Sequence, residues 1–318
     1  MAPRYITPAS ADGTVRVLQL TDCHLFADES KDLLGVNTSE SFKAVVEAVR
    51  AQNFDYDFIA FTGDISQDYS ATSYQHFANI ISVLHKPVFF LPGNHDDGPL
   101  MYRIFERLGV NVAKNVITPT WQFVFLNSEV YAVPHGWIQR KQLDYAAFCS
   151  RRSPSQHMAI LVHHMPLLVN SAWLDTQTMH NLDEFNTYIH RINDVRCVLT
   201  GHIHQEFDTV ERGIRYIATP STSIQFTPRS IDFALDTLAP GWRYLAFKPD
   251  GTVDTKVYRL NNNTFIPNMD VDGLGGLSQT SEIDKFYPQN VHVLEVPSSK
   301  NVKIVPWANL EGHEWTLT

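Results

Sequence analysis

From residue 15 onward, short runs of Val, Ile, Leu and Phe alternate with longer stretches in which apolar residues recur every three or four positions. A continuous apolar run of strand length reads as a strand covered on both faces, and the 3.6-residue period reads as a helix that covers it. The runs lie at 15–20, 58–61, 88–91, 123–126, 159–162, 197–199 and 216–217, and the period predicts helices over 39–52, 71–84, 100–108, 140–148 and 182–192. In the first helix Phe42, Val45, Val46 and Val49 share one stripe while Lys43, Glu47 and Arg50 lie off it, as an amphipathic helix requires. The alternation defines an α/β class. Residues 244–260 alternate in character around Pro249-Asp250-Gly251, which predicts a β-hairpin closing the main domain.

After the hairpin the pattern changes. Residues 268–281 combine Asp, Gly, Ser and Asn with little apolar content and read as a linker. Beyond it, 291–296 and 302–305 are expected to form two short strands of a small appendage. The division is therefore 1–267 for the main domain and 268–318 for linker and extension. Phe286, Tyr287, Val291, Leu294, Ile304 and Trp307 give the extension too much apolar surface to stay solvated, so it is expected to dock on its own domain or on a second subunit.

Composition narrows the function. A chain of 318 residues, 44% hydrophobic, can bury a large core. Its 34 acidic and 25 basic residues give a net charge of −9, and no Lys/Arg run tracks a polyanion. Polymeric nucleic acid and an anionic membrane are thus disfavoured as partners, and a small-molecule substrate is expected. An acidic protein also repels an anionic ligand, so a phosphate site would need concentrated local charge of the kind that bound metal supplies. Cys23, Cys149 and Cys197 have neither disulfide-framework nor zinc-thiolate spacing, which fits a reducing compartment. No signal-like stretch and no membrane-length apolar run is seen, and the cytoplasm is the expected location.

Five of the apolar runs end in residues that bind metals: TDCH (21–24), TGD (62–64), GNHD (93–96), HHMP (163–166) and GHIH (201–204). One Asp or His at a strand end is commonly a turn or packing residue, but five independent coincidences at five strand ends are improbable. Carboxylate, amide and imidazole donors in mixture suit hard-to-borderline cations. A carboxylate has two oxygens and can bridge two metals about 3.5–4 Å apart, the spacing for in-line displacement at phosphorus. Asp64, from a strand expected between those carrying Asp22/His24 and Asn94, is placed to bridge. Gly63, Gly93 and Gly201 are expected to permit tight or left-handed turns and close approach of substrate. If 21–24 and 201–204 are extended, Asp22 and His24, and likewise His202 and His204, share a face, with Cys23 turned away.

The ordered set DxH, GD, GNHD, HHxP and GHxH resembles the calcineurin-like metallophosphoesterase superfamily, and within it the bacterial class III cyclic nucleotide phosphodiesterases. The likeness runs from about 15 to 267 and includes LLGVNTSESF (33–42), YQHFA (74–78), GHIHQE (201–206), ATPSTS (218–223) and FALDTLAPGWR (233–243). It implies a four-layer sandwich in which two central mixed β-sheets are flanked by helices. It further implies two metal ions, iron or manganese with zinc as an alternative, one on Asp22, His24, Asp64 and His204, the other on Asp64, Asn94, His163 and His202. His95 takes the role of protonating the leaving oxygen, and His24, Asp64, Asn94, His95 and His204 double as the phosphate-binding surface. The implied reaction is attack by a metal-bridging hydroxide on 3′,5′-cyclic AMP to give 5′-AMP. Other phosphoesters, such as 2′,3′-cyclic nucleotides and glycerophosphodiesters, share every metal ligand and stay open as substrates. A non-catalytic metal-dependent scaffold fits poorly with so complete a site. Met165 departs from the commoner HHPP, leaving its place in the pocket open. His164 is either a catalytic participant or a hydrogen-bond partner behind the ligands.

Overall fold

The computed structural model describes residues 4–7, 10–154 and 156–269. Its elements are β1 (Arg4–Ile6), β2 (Val15–Leu20), β3 (Asp32–Leu33), β4 (Val36–Asn37), α1 (Thr38–Gln52), β5 (Phe58–Phe61), α2 (Ala71–Ser82), β6 (Val88–Phe90), α3 (Gly98–Leu108), β7 (Asn115–Ile117), β8 (Trp121–Phe125), α4 (Arg140–Arg152), β9 (His157–Leu161), α5 (Ala172–Asp175), α6 (Leu182–Ile189), β10 (Val195–Thr200), β11 (Phe207–Glu211), β12 (Ile214–Ala218), β13 (Gln225–Phe226), β14 (Leu235–Asp236), β15 (Gly241–Phe247) and β16 (Val253–Arg259). Two mixed sheets result. One has the order β16-β15-β2-β5-β6, the other β1-β7-β8-β9-β10-β12-β11, and β3-β4 and β13-β14 form two small ribbons.

The apolar runs have no polar face because each strand is covered twice. In β2, Val15 and Val17 point between the sheets while Leu18 and Leu20 point at the helices; in β5, Phe58 and Ala60 face inward and Ile59 and Phe61 outward. Between the sheets Phe58 meets Phe123 edge to face, ring centroids 5.1 Å apart at 79°. On the far side of the first sheet α1, α2 and α3 pack through Phe42, Val45, Phe77, Met101 and Phe105. On the far side of the second lie α4 and α6, through Leu143, Ala146, Phe185 and Ile189. The stack is helix, sheet, sheet, helix, the expected four-layer sandwich. Local signals stop and start the helices as sequence physics requires: Asn37 caps α1 through Glu40 N–H, Asp97 caps α3 through Leu100 N–H, and Gly109 ends α3 at φ 74°.

The expected hairpin is present as β15–β16, fully paired from Gly241 opposite Arg259 to Phe247 opposite Val253. Helix α4 runs four residues past the predicted end, to Arg152, and α6 stops at Ile189. β1, β7 and β11 escaped the pattern because they carry no apolar run; β1 is a three-residue edge strand whose Ile6 is exposed. The linker and the two strands expected beyond residue 269 lie outside the described residues. The last described part is still attached to the domain: Phe265 packs on the core and Asn268 N–H donates to Leu34 O at 2.8 Å. Among the described residues no helix is long and apolar enough to cross a membrane.

Candidate dinuclear metal centre

The carboxyl ends of β2, β5 and β6 in one sheet and of β9 and β10 in the other point to the same edge of the sandwich, and the five motif-bearing loops converge there. β5 pairs with both β2 and β6, so Asp64 lies between Asp22/His24 and Asn94, as expected. The backbone at the ligand positions is not extended. Asp22, His24, Asp64, His202 and His204 have φ of 54°, 48°, 53°, 69° and 48°, the left-handed region that non-glycine residues enter at a cost of about 1–3 kcal/mol each. The expectation of period-two extended segments is therefore corrected: left-handed kinks, not strand alternation, turn these side chains into one cluster. Cys23 does point away, donating to Ile65 O at 3.3 Å in the core, because it sits between two kinks.

The hydrogen-bond partners fix which nitrogen each imidazole offers. His24 Nδ1 lies 2.7 Å from Gln67 Oε1 and His204 Nδ1 lies 2.9 Å from Ile224 O. Both partners are acceptors, so both Nδ1 atoms carry the proton and both Nε2 atoms present lone pairs. Those Nε2 atoms are 3.1 Å apart, with Asp22 Oδ1 3.4 Å from His204 Nε2 and Asp64 Oδ2 3.8 Å from His24 Nε2. On the other side His163 gives its Nδ1–H to Thr62 O at 2.7 Å, and its Nε2 faces Asn94 Oδ1 at 3.1 Å and Asp64 Oδ2 at 3.4 Å. His202 gives its Nε2–H to Gln177 O at 2.9 Å, and its Nδ1 faces the same Asn94 oxygen at 3.0 Å. Lone pairs meeting lone pairs in a buried site are stable only with positive charge between them.

Electrostatics agree. Burial resists ionisation of Asp22 and Asp64, yet their imidazole neighbours, His204 for Asp22 and His163 for Asp64, hold both pKa values below the usual carboxylate range. Burial pushes His24 and His202 down to about 3, which leaves them neutral donors. At His163 burial is outweighed by Asp64, which lifts the imidazole to about 9. A proton or a cation must stand between these two groups. Asp22, His24, Asp64 and His204 place one ligand atom each within 4.8 Å of one another, as do His163, His164 and His202. The two sets meet at Asp64, whose Oδ2 faces His24 and His163, and with Asn94 Oδ1 between His163 and His202 the oxygen and nitrogen donors fit a pair of metal cations.

The loops are held from behind by residues that sequence reasoning did not assign. Asp96 is fully buried and accepts from Ile65, Ser66 and Gly93 N–H at 3.2, 2.9 and 2.9 Å, tying the Asp64 loop to the Asn94 loop. Ser221 and Ser223 hydroxyls both donate to Asp22 O, at 2.8 and 3.2 Å, which gives ATPSTS its purpose. Phe226 stacks on the His204 ring, centroids 4.4 Å apart at 11°. Gln67 and Gln177, which orient His24 and His202, carry no motif and are visible only in three dimensions. Gly63 is left-handed at φ 100° as expected. Gly93 and Gly201 are not left-handed; a Cβ on Gly93 would overlap Asp64 Oδ1 and one on Gly201 would overlap Thr21 Oγ1. Their smallness makes room for neighbouring ligands rather than for substrate.

His95 lies at the mouth, half-buried, its N–H donating to Asp64 Oδ1 at 2.9 Å and its ring edge-on to His24 at 5.1 Å. His164 is fully buried, with Nδ1 2.8 Å from Ser128 Oγ and its ring 4.7 Å from that of His202. Met165 is buried in a cluster with Val169, Trp173 and Leu174, so it fills core and does not line the pocket.

Two stacked mixed sheets with a buried Asp/Asn/His cluster at their shared edge define a metallophosphoesterase. A sequence profile of calcineurin-like phosphoesterases matches residues 15–206, and the chain belongs to that family. It is 43% identical over 267 residues to the 3′,5′-cyclic adenosine monophosphate phosphodiesterase CpdA of Escherichia coli (strain K12), covering 84% of this chain and 97% of that protein. To the protein of the same name from Vibrio vulnificus (strain CMCP6) it is 43% identical over 264 residues, 83% of this chain and 96% of the relative. Among solved structures, a dimetal phosphatase from Danio rerio superposes with a TM-score of 0.52 at 13% identity, over 77% of this chain and 98% of that one; that likeness speaks to the fold alone.

Proposed function

We propose that this protein hydrolyses 3′,5′-cyclic AMP to 5′-AMP at a dinuclear metal centre. The observation that carries the reading is the pair of buried donor groups sharing Asp64, whose imidazole N–H groups are turned outward to carbonyl oxygens. One ion is assigned to Asp22, His24, Asp64 and His204, the other to Asp64, Asn94, His163 and His202. The substrate follows the names of the relatives reported above. When bound, two such ions supply Lewis acidity toward phosphate oxygens and bring the pKa of water from about 15.7 to near 7. With only Asp22 and Asp64 as anionic ligands, two divalent ions leave the site near +2, which attracts a phosphodiester to a protein of net charge −9. His24, Asp64, Asn94, His95 and His204 surround the phosphate. Asp64 Oδ1 holds the His95 backbone in place, and the His95 imidazole hands a proton to the departing 3′ oxygen. Iron or manganese suits the mixed oxygen and nitrogen set, with zinc the alternative. We place the catalytic unit at 1–267, the extension at 268–318, and the protein in the cytoplasm.

The test is metal analysis of protein purified without added metal, paired with product identification on 3′,5′-cyclic AMP, 2′,3′-cyclic AMP and a glycerophosphodiester. Two bound ions with no turnover of 3′,5′-cyclic AMP would sink the substrate assignment. Asn94→Ala is expected to lose metal and regain activity in excess metal. His95→Ala is expected to keep both ions and lose about 10²- to 10⁴-fold in cyclic nucleotide turnover, with little loss on a nitrophenyl ester that needs no proton.

A further inference from the structure

A metal cluster recognises phosphate and is blind to the base, so selectivity for a nucleotide requires an apolar face beside it. Among the described residues near the centre, two aromatic groups have their faces engaged. Phe226 lies flat on His204, with Trp173 and Phe233 edge-on at 4.9 and 5.5 Å. His135 and His180 stack on each other, 3.7 Å apart at 5°. Tyr131, by contrast, is 48% exposed and leans on Tyr69 with centroids 5.8 Å apart at 55°.

That pair is built into the site. The Tyr69 hydroxyl donates to the backbone oxygen of Asn94 at 3.1 Å, and Asn94 Oδ1 faces both His163 and His202. Tyr69 has φ 57°, an outlier for a bulky side chain that persists only where the surroundings impose it. The loop carrying Tyr131 is clamped at both ends beside the centre: Ser128 Oγ contacts His164 Nδ1, Gly136 packs on the His164 ring, and Trp137 N–H donates to Ser128 O at 3.0 Å. Gly136 is fixed in turn by Thr178 O, one residue from the Gln177 carbonyl that orients His202.

From this we infer that Tyr131 is the stacking platform for the nucleobase of a nucleotide whose phosphate occupies the metal centre, a specificity-determining role that rests on the phosphoesterase reading above. The experiment uses the metal-loaded full chain and the variants Tyr131→Ala and Tyr131→Phe, with bis(p-nitrophenyl) phosphate as a substrate that has no base. Inhibition of that reaction by 5′-AMP and by inorganic phosphate is measured in parallel. A base–aromatic stack is lost at a cost of about 5- to 150-fold, so Tyr131→Ala is expected to raise the KM for 3′,5′-cyclic AMP and the inhibition constant of 5′-AMP by a factor in that span. Inhibition by inorganic phosphate should stay unchanged, and Tyr131→Phe should restore nucleotide affinity. Equal weakening of 5′-AMP and of inorganic phosphate would overturn the proposal by showing that Tyr131 acts through Tyr69 and Asn94. No change on either would overturn it as well. Should the wild-type protein fail to hydrolyse 3′,5′-cyclic AMP, the substrate reading falls while the 5′-AMP against phosphate comparison still decides the platform.

Discussion

Asp96 is not a metal ligand, yet replacing it should dismantle the centre. Its carboxylate is fully buried and is the acceptor for three backbone N–H groups, Oδ2 for Ile65 and Gly93 and Oδ1 for Ser66. A buried donor left without an acceptor costs about 1–3 kcal/mol. Asp96→Ala orphans three, so a loss of at least about 3 kcal/mol is expected. Asp96→Asn keeps one oxygen, which serves the Ile65 and Gly93 pair, and turns an NH2 toward Ser66 N–H, for a cost of about 1–3 kcal/mol. Part of that is returned, because burial and then the nearby Asp64 charge raise the Asp96 pKa to about 7, and the neutral amide removes that strain. Urea unfolding of both variants gives the stability order, and metal content after dialysis against a chelator shows whether the Asp64 and Asn94 loops have separated. If Asp96→Ala unfolded within about 1 kcal/mol of the parent and kept both metals, the three-amide clamp would not be what holds the loops together.

Gly93→Ala should cost metal rather than only stability, because its Cβ overlaps Asp64 Oδ1; metal content on a variant that still melts cooperatively is the check. Ser221→Ala is expected to cost about 1 kcal/mol and to weaken metal retention through Asp22, and Ser221→Thr to preserve both, as read by thermal melting and chelator titration. Glu129, beside the α3 N-terminus with Gly98 N–H on its Oε1, has its pKa raised to about 8, chiefly by burial. Between an unfolded value near 4.5 and that folded value, the folded chain holds a proton that the unfolded chain has released. Stability should therefore fall as pH rises through that window, by up to about 1.4 kcal/mol per unit, and Glu129→Gln should flatten the slope in urea melts at pH 5, 6.5 and 8.

Much of this molecule was legible in its sequence because burial on both faces leaves an unmistakable mark. The runs at 15–20 and 58–61 became β2 and β5 without adjustment, since a strand between a helical layer and a second sheet is apolar at most positions and admits a polar residue such as Gln19 only with buried hydrogen-bond partners. β1 and β11 gave no such mark: Ile6 and Val210 face solvent, and a short edge strand is defined by its neighbour rather than by its own residues. The proposed ligand residues come together as expected, for their chemical types limit what they can do.

The conformation that brings them together was not legible, and the reason is physical. An extended DxH or HxH places its outer residues on one side, and so does the observed arrangement with left-handed φ at Asp22, His24, His202 and His204; residue types alone do not separate the two. What separates them is the hydrogen-bonding that sustains the kinks. Asp22 N–H reaches Gly63 O at 3.0 Å, His24 N–H reaches Asp64 O at 3.0 Å, and the Asp22 carbonyl is gripped by Ser221 and Ser223 from 199 and 201 residues away. Left-handed positions in Asp and His cost energy locally, so each kink persists only while partners distant in the chain compensate for it. The centre is thus a product of the closed sandwich. A peptide carrying TDCH or GHIH has the donor atoms but not the φ values, and its metal affinity should be that of loose imidazoles and carboxylates rather than of the folded cluster.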